Sequence, residues 1–327
     1  MNISILTECG GNIGYGHISR CSAVYQAFED KGITAELIVH GDKQAENILA
    51  GKRYQIADWI NDMSKLLSVL ERSDIAIIDS YLAGVEVYDL VSKHVDTGVY
   101  FDDDLRIDYP KGIIVNGAIS AEDLNYPVKD GVSYLLGASY FPLRKEFCNA
   151  VAKEVRHEVE TLLVTCGGSD MKNLTPTIQT FLKDTYPDLH KKIIVTSLFQ
   201  NIAQIKKQQD KNTELLCDLS AIDFREAMYN SDIAISTGGQ TLYELASMGL
   251  PTIAVSIAEN QAQNICGWFK TGLMEYAGNY KDKDFLFKLE TSLEVLIPFE
   301  TRTNCSRGAQ QFIDGNGAKR ICDMVLS

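Results

Sequence analysis

The eight cysteines of this 327-residue chain include no C-x-x-C pair and are scattered from Cys9 to Cys322. That pattern suits reduced cytosolic thiols, most of them buried as small hydrophobes. Positive charge is also scarce. With 31 Lys and Arg against 44 Asp and Glu, the net charge is −13, which argues against a nucleic-acid or anionic-membrane surface because both require a basic footprint. A small anionic ligand remains open, since local backbone donors and a few cations can hold it. No segment approaches the roughly 18 apolar residues of a membrane span. The opening MNISILTECG lacks the basic n-region and long apolar run of a signal peptide. Solenoid-length repeats and low-complexity tracts are missing too. A cytoplasmic chain remains, and its length and 45% hydrophobic content predict about two domains with ample core.

Apolar strands alternate with helices along that chain. Residues 3–7 read as a strand, 8–16 as a loop with four glycines, 17–31 as a helix and 33–40 as a second strand. Further strands are expected at 75–79, 99–101 and 113–116, and a helix at 87–94. After a Pro142-containing connection the pattern restarts, with strands at 161–165, 192–196, 214–217, 233–235 and 252–255. The alternation predicts an α/β protein of two doubly wound Rossmann-like domains, 1–150 and 151–327, facing each other across a cleft. The last helical segment is free to return to the first domain. Ligands of such sheets bind beyond the carboxyl ends of strands, and each motif below follows a strand.

In the second half a strand runs into Ser236, Thr237, Gly238, Gly239, Gln240 and Thr241, and a helix begins near Leu242. Gly249 stops that helix and Pro251 forbids its return. Free N–H groups at the helix start, beside hydroxyls and glycines, are suited to a phosphate. Glu244, one turn in, can accept both hydroxyls of a ribose; outside this motif it would read as a solvated helix glutamate. Gly167, Gly168 and Ser169 follow another strand of the same half. They either admit a diphosphate or sugar to the backbone, or merely turn a strand into a helix.

The first half offers Gly14, Tyr15, Gly16, His17 and Arg20. The glycines fold the loop tightly and leave His17 at a helix start, where the dipole favours a neutral ring able to take a proton from water. The plain alternative is a histidine that only caps the helix. Ser19 stands where a dinucleotide fingerprint needs its third glycine, which speaks against a dehydrogenase. Asp79 and the run from Asp102 to Asp104 also end strands. They are candidates for Mg²⁺ or for Asx turns, with turns preferred for the second group. Tyr81 and the Asn260–Gln261 pair are hydrogen-bonding groups for a polar substrate. His40, His94, His157 and His190 stand in no motif.

The stretch STGGQTLYELASMGLPTIAV followed by ENQ resembles the GT-B nucleotide-sugar proteins. GYGHISR, IIDSY, SYFPLRKEF and CGGSDMKNLT narrow this to a resemblance, over nearly the whole chain, with the nucleotide-sugar hydrolases of pseudaminic acid biosynthesis. The resemblance implies a GT-B fold. It also implies metal-independent, cofactor-free, inverting hydrolysis of UDP-2,4-diacetamido-2,4,6-trideoxy-β-L-altropyranose, with His17 activating the water that attacks C1. It places Gly14, Tyr15, Gly16, Arg20, Tyr81, Asn260 and Gln261 around the sugar. Gly167, Gly168, Ser169 and residues 236–241 would hold the diphosphate and Glu244 the ribose. Outside any motif, the region 217–222 is the candidate for the uracil. The only partner implied is the UDP-sugar, met by a monomer. Two other functions stay open: a GT-B glycosyltransferase using a UDP-sugar donor, and a catalytically silent UDP-sugar-binding protein.

Overall fold

The computed structural model describes residues 1–10, 13–41 and 45–327, the side chain of Asn47 aside; Gly11 of the glycine loop lies outside them. The chain forms two compact units, one of residues 1–145 with 315–327 and one of residues 146–314.

The first unit is built on seven parallel strands: β1 Ile3–Glu8, β2 Ala35–His40, β3 Tyr54–Ile56, β4 Ile75–Asp79, β5 Thr97–Phe101, β6 Gly112–Asn116 and β7 Val132–Leu136. Their order across the sheet is β3-β2-β1-β4-β5-β6-β7. Helices cover both faces, so the central strands are apolar on both sides. Ile5, Val39, Ile77 and Val99 enter one core, and the intervening Leu6, Ile38, Ile78 and Tyr100 enter the other. This is the two-residue period of a pleated strand. The Gly16–Glu29 helix lies over the first face and packs with the Gly317–Val325 helix through Cys21, Val24, Phe28, Ile321 and Cys322. A Cβ at Gly317 would stand 2.1 Å from the Phe141 carbonyl oxygen, so only glycine fits there.

The second unit carries six parallel strands: β8 Thr161–Thr165, β9 His190–Val195, β10 Thr213–Cys217, β11 Ile233–Thr237, β12 Thr252–Ser256 and β13 Met274–Asn279. Their order is β10-β9-β8-β11-β12-β13. Both sheets therefore have the doubly wound α/β class expected from the alternation. Each reverses its strand order once, between β1 and β4 and between β8 and β11. Loops leaving adjacent strands must diverge at such a point, which opens a crevice at the carboxyl edge. The helix expected over 17–31 ends at Glu29 instead. Gly32 turns at φ +73°, and the Ile33 N–H reaches back to the Phe28 carbonyl at 3.0 Å, a left-handed helix stop that postpones the strand to Ala35.

Candidate functional site

At the reversal point of the first unit, Asp79 closes β4 and His17 lies in the first turn of the helix that follows β1. Gly14 makes this entry possible at φ +80°. A Cβ there would meet nothing within 4 Å, so the requirement is conformational rather than spatial. His17 is 5% exposed, and its Nδ1 lies 2.6 Å from Asp79 Oδ1. Burial alone would raise the Asp79 carboxyl, but the charges of Arg20 and His17 outweigh it and hold the group well below the usual carboxylate range. An ionised Asp79 accepts the Nδ1 proton and leaves Nε2 as the ring nitrogen able to take another.

Arg20 is 6% exposed and lies between two carboxylates. Its Nε and Nη2 donate to Asp79 at 2.5 and 2.7 Å, and its Nη1 and Nη2 donate to Asp103 at 2.7 and 3.0 Å. The guanidinium also lies 5.2 Å from the Phe101 ring centroid. Nε, Nη1 and Nη2 thus each bond a carboxylate within the protein. Tyr81, 39% exposed, sets its ring edge-on to His17 with centroids 4.4 Å apart and donates its hydroxyl to Asp103 at 2.5 Å.

The turn that carries Tyr81 is fastened on two sides. Glu8, fully buried at the end of β1, accepts from the Ser80 hydroxyl and from the N–H groups of Tyr81 and Leu82, the latter two at 2.8 and 3.3 Å. The Tyr88 hydroxyl donates to the Ser80 carbonyl at 3.1 Å, and Arg106 Nη1 donates to that of Ala83 at 3.0 Å. Sequence reasoning passed over Glu8, Tyr88 and Arg106. The one available signal was a carboxylate ending an apolar strand. Asp102, beside Asp103, accepts from the Leu105 and Arg106 N–H groups and from the Tyr109 and Tyr126 hydroxyls, the loop-capping task preferred for that run. Among the described residues no group of three His, Cys, Asp or Glu side chains is arranged to hold a metal ion.

In the second unit the two glycine turns adjoin at the other reversal point, where a Cβ on Gly167 would lie 3.7 Å from Thr237 Oγ1. A Cβ on Gly238 would strike Ile265 at 2.3 Å, whereas Gly239 has nothing within 4 Å. Gly238 N–H bonds the Val255 carbonyl and Gly239 N–H that of Thr237. The N–H groups of Gln240 and Thr241 meet no protein acceptor among the described residues. Ser236 and Thr237 are buried, and Glu244 is 8% exposed, unlike a solvated helix glutamate.

The turn after β8 is occupied differently. Asp170 caps the Leu174–Thr185 helix by accepting from the Leu174 and Thr175 N–H groups at 2.8 and 3.0 Å, so this helix start is already met by an anion of its own. Gly168 and Ser169 remain on its outer side, with the Gly168 carbonyl bonded by Thr196 Oγ1 at 2.6 Å. Asn260 is exposed. Gln261 accepts the Ile257 N–H at 3.1 Å, and its Cβ stands 3.1 Å from a Cβ built on Gly238, which joins it to the glycine turn. In the region 217–222, Asp218 accepts from Ser197 N–H and Ser220 caps the Ala221–Tyr229 helix.

No protein-family model matches the chain. It is 27% identical over 264 residues to the pseudaminic acid cytidylyltransferase and UDP-2,4-diacetamido-2,4,6-trideoxy-β-L-altropyranose hydrolase of Helicobacter pylori, a match covering 80% of this chain and 45% of that protein. It is 26% identical over 218 residues to the UDP-2,4-diacetamido-2,4,6-trideoxy-β-L-altropyranose hydrolase of Campylobacter jejuni, covering 64% of this chain and 73% of that one. The chain spans about half the length of the first curated relatives it matches. Among solved structures, MurG of Acinetobacter baumannii is similar with a TM-score of 0.70 at 13% identity, over 100% of this chain and 99% of that one. The chain thus has the GT-B fold, and in sequence it resembles UDP-diacetamido-trideoxy-altropyranose hydrolases.

Proposed function

We propose that this chain hydrolyses UDP-2,4-diacetamido-2,4,6-trideoxy-β-L-altropyranose to UDP and the free sugar, with inversion at C1, without metal or cofactor, as a cytoplasmic monomer. The observation that carries the reading is the His17 imidazole held through Nδ1 by buried, ionised Asp79, in a chain resembling hydrolases of that name.

In this reading His17 Nε2 takes a proton from water as the water oxygen forms a bond to C1. The bond from C1 to the diphosphate oxygen breaks, and its electron pair leaves with UDP. Asp79 balances the imidazolium until the proton passes to solvent. UDP is held in the second unit. Gln240 and Thr241 N–H groups, with the hydroxyls of Ser236, Thr237 and Thr241 and the open backbone at Gly239, meet the diphosphate; Gly238 shapes the turn, Gly167, Gly168 and Ser169 flank it, and Glu244 meets the ribose. Gly14, Tyr15, Gly16, Tyr81, Asn260 and Gln261 attend the sugar. Arg20 acts through Asp79, since its donors already face carboxylates.

Turnover in ¹⁸O-labelled water, followed by NMR at the anomeric centre, tests the reading. Hydrolysis by inversion puts the label in the sugar and yields the opposite anomer first. Label in UDP, or retention, contradicts it. The second reading is a GT-B transferase with a UDP-sugar donor, in which UDP appears only after an acceptor is added.

A further inference from the structure

Asp103 bonds Arg20 and Tyr81, two of the side chains that contact His17. Its Oδ1 accepts from Arg20 Nη1 at 2.7 Å, and its Oδ2 accepts from Arg20 Nη2 at 3.0 Å and from the Tyr81 hydroxyl at 2.5 Å. The other edge of Arg20 grips Asp79, which holds His17. Around His17 the titratable and charged groups are Arg20 and Cys21 on its own helix, Asp79 and Tyr81 from β4 and its loop, Asp103 after β5, and Glu8 at the end of β1 behind that loop.

One guanidinium therefore serves two carboxylates. Arg20 facing Asp79 alone would form a neutral pair, with little field left to stabilise an imidazolium. The second carboxylate leaves the triad with one net negative charge, and a proton arriving on His17 cancels it. We infer that Asp103 is a positioning residue for His17. Through Arg20 it keeps Asp79 able to balance the protonated ring, and through the Tyr81 hydroxyl it holds the tyrosine edge-on to the imidazole. The inference rests on the proposed role of His17 as the base. Asp103 can act in this way because Arg20 outweighs the effect of burial and keeps its carboxyl below the usual range. Burial and the Asp103 charge together push the Tyr81 hydroxyl well up, so it stays a donor.

The test is the titration of the His17 ring Cε1–H by NMR in the full chain, beside UDP release from the UDP-sugar as a function of pH. Asp103→Asn, which removes the second negative charge beside Arg20, should move the ring midpoint to lower pH and the acid limb of kcat/KM with it. At neutral pH kcat should fall about tenfold with UDP affinity unchanged. Asp103→Glu, which restores the charge, should return the midpoint towards wild type. Should Asp103→Asn not fold, Asp103→Ser leaves room for water beside Arg20 and is read in the same way. An unmoved midpoint in the charge-removing variant overturns the inference even if UDP release is intact. A moved midpoint in a protein that hydrolyses no UDP-sugar upholds the charge coupling and removes the proposed function instead.

Discussion

His17 Nδ1 lies 2.6 Å from Asp79 Oδ1, with both side chains buried. An ionised Asp79 therefore keeps the proton on Nδ1, which in the proposed reaction leaves Nε2 to take the proton of water. Asp79→Asn keeps the shape and removes the charge. Turnover should fall by roughly 10²–10⁴-fold while UDP affinity holds, as kcat and calorimetric UDP titration will report.

The same substitution carries a stability prediction whose sign follows from linkage. The folded-state Asp79 carboxyl is held below its unfolded value, so its stabilisation is fully present above about pH 4 and is lost as pH falls further. Melting temperature should drop below about pH 4 in wild type and drop less in Asp79→Asn. At neutral pH the variant should be less stable by about 1–3 kcal/mol, because the bonds from Arg20 and His17 to a charged acceptor become bonds to a neutral one. Thermal melts across pH check both statements.

Gly238 and Gly239 should respond differently to alanine. At Gly238 a methyl would meet Ile265 at 2.3 Å, and Gly238→Ala should cost about 1–3 kcal/mol by overpacking. At Gly239 the space is open and φ is ordinary. Gly239→Ala should therefore melt like wild type yet bind UDP about tenfold more weakly, since in the proposed reading the open space at Gly239 is where the diphosphate approaches the backbone. Equal loss of stability at both positions would count against this account of the turn.

The fully buried Glu8 accepts the Tyr81 and Leu82 N–H groups and the Ser80 hydroxyl. Glu8→Ala would leave these donors unmet, at roughly 1–3 kcal/mol for each one that stays dry. It should also loosen Tyr81 against His17. The expected signature is a lower melting temperature together with lower kcat, with UDP affinity preserved.

The buried central strands were legible because a parallel sheet covered on both faces writes its strands as apolar runs, as in Ile75–Asp79 and Ile233–Thr237. The strands β3, β7 and β13 at the sheet edges were not. Tyr54–Ile56 is three residues with exposed ends, and Val132–Leu136 buries a single residue fully. Met274–Asn279 follows a helix with only Thr271 and Gly272 to mark the break. His17 and the glycine turns were visible because glycine and histidine at strand ends are local signals. Asp103 and Glu8 were not assigned their tasks, because their partners lie 83 and 72 residues away at Arg20 and Ser80, brought near by the pairing of β1 with β4 and of β4 with β5.

The central claim is that His17 activates water against the C1 of a UDP-sugar. Its most direct measurement is UDP release in plain buffer, without any acceptor, by the wild-type protein and by His17→Ala. The account predicts multiple turnovers in the first and a loss of roughly 10²–10⁴-fold in the second, with UDP bound equally by both. Near-wild-type release by His17→Ala, or release by the wild type only when an acceptor is supplied, would contradict it.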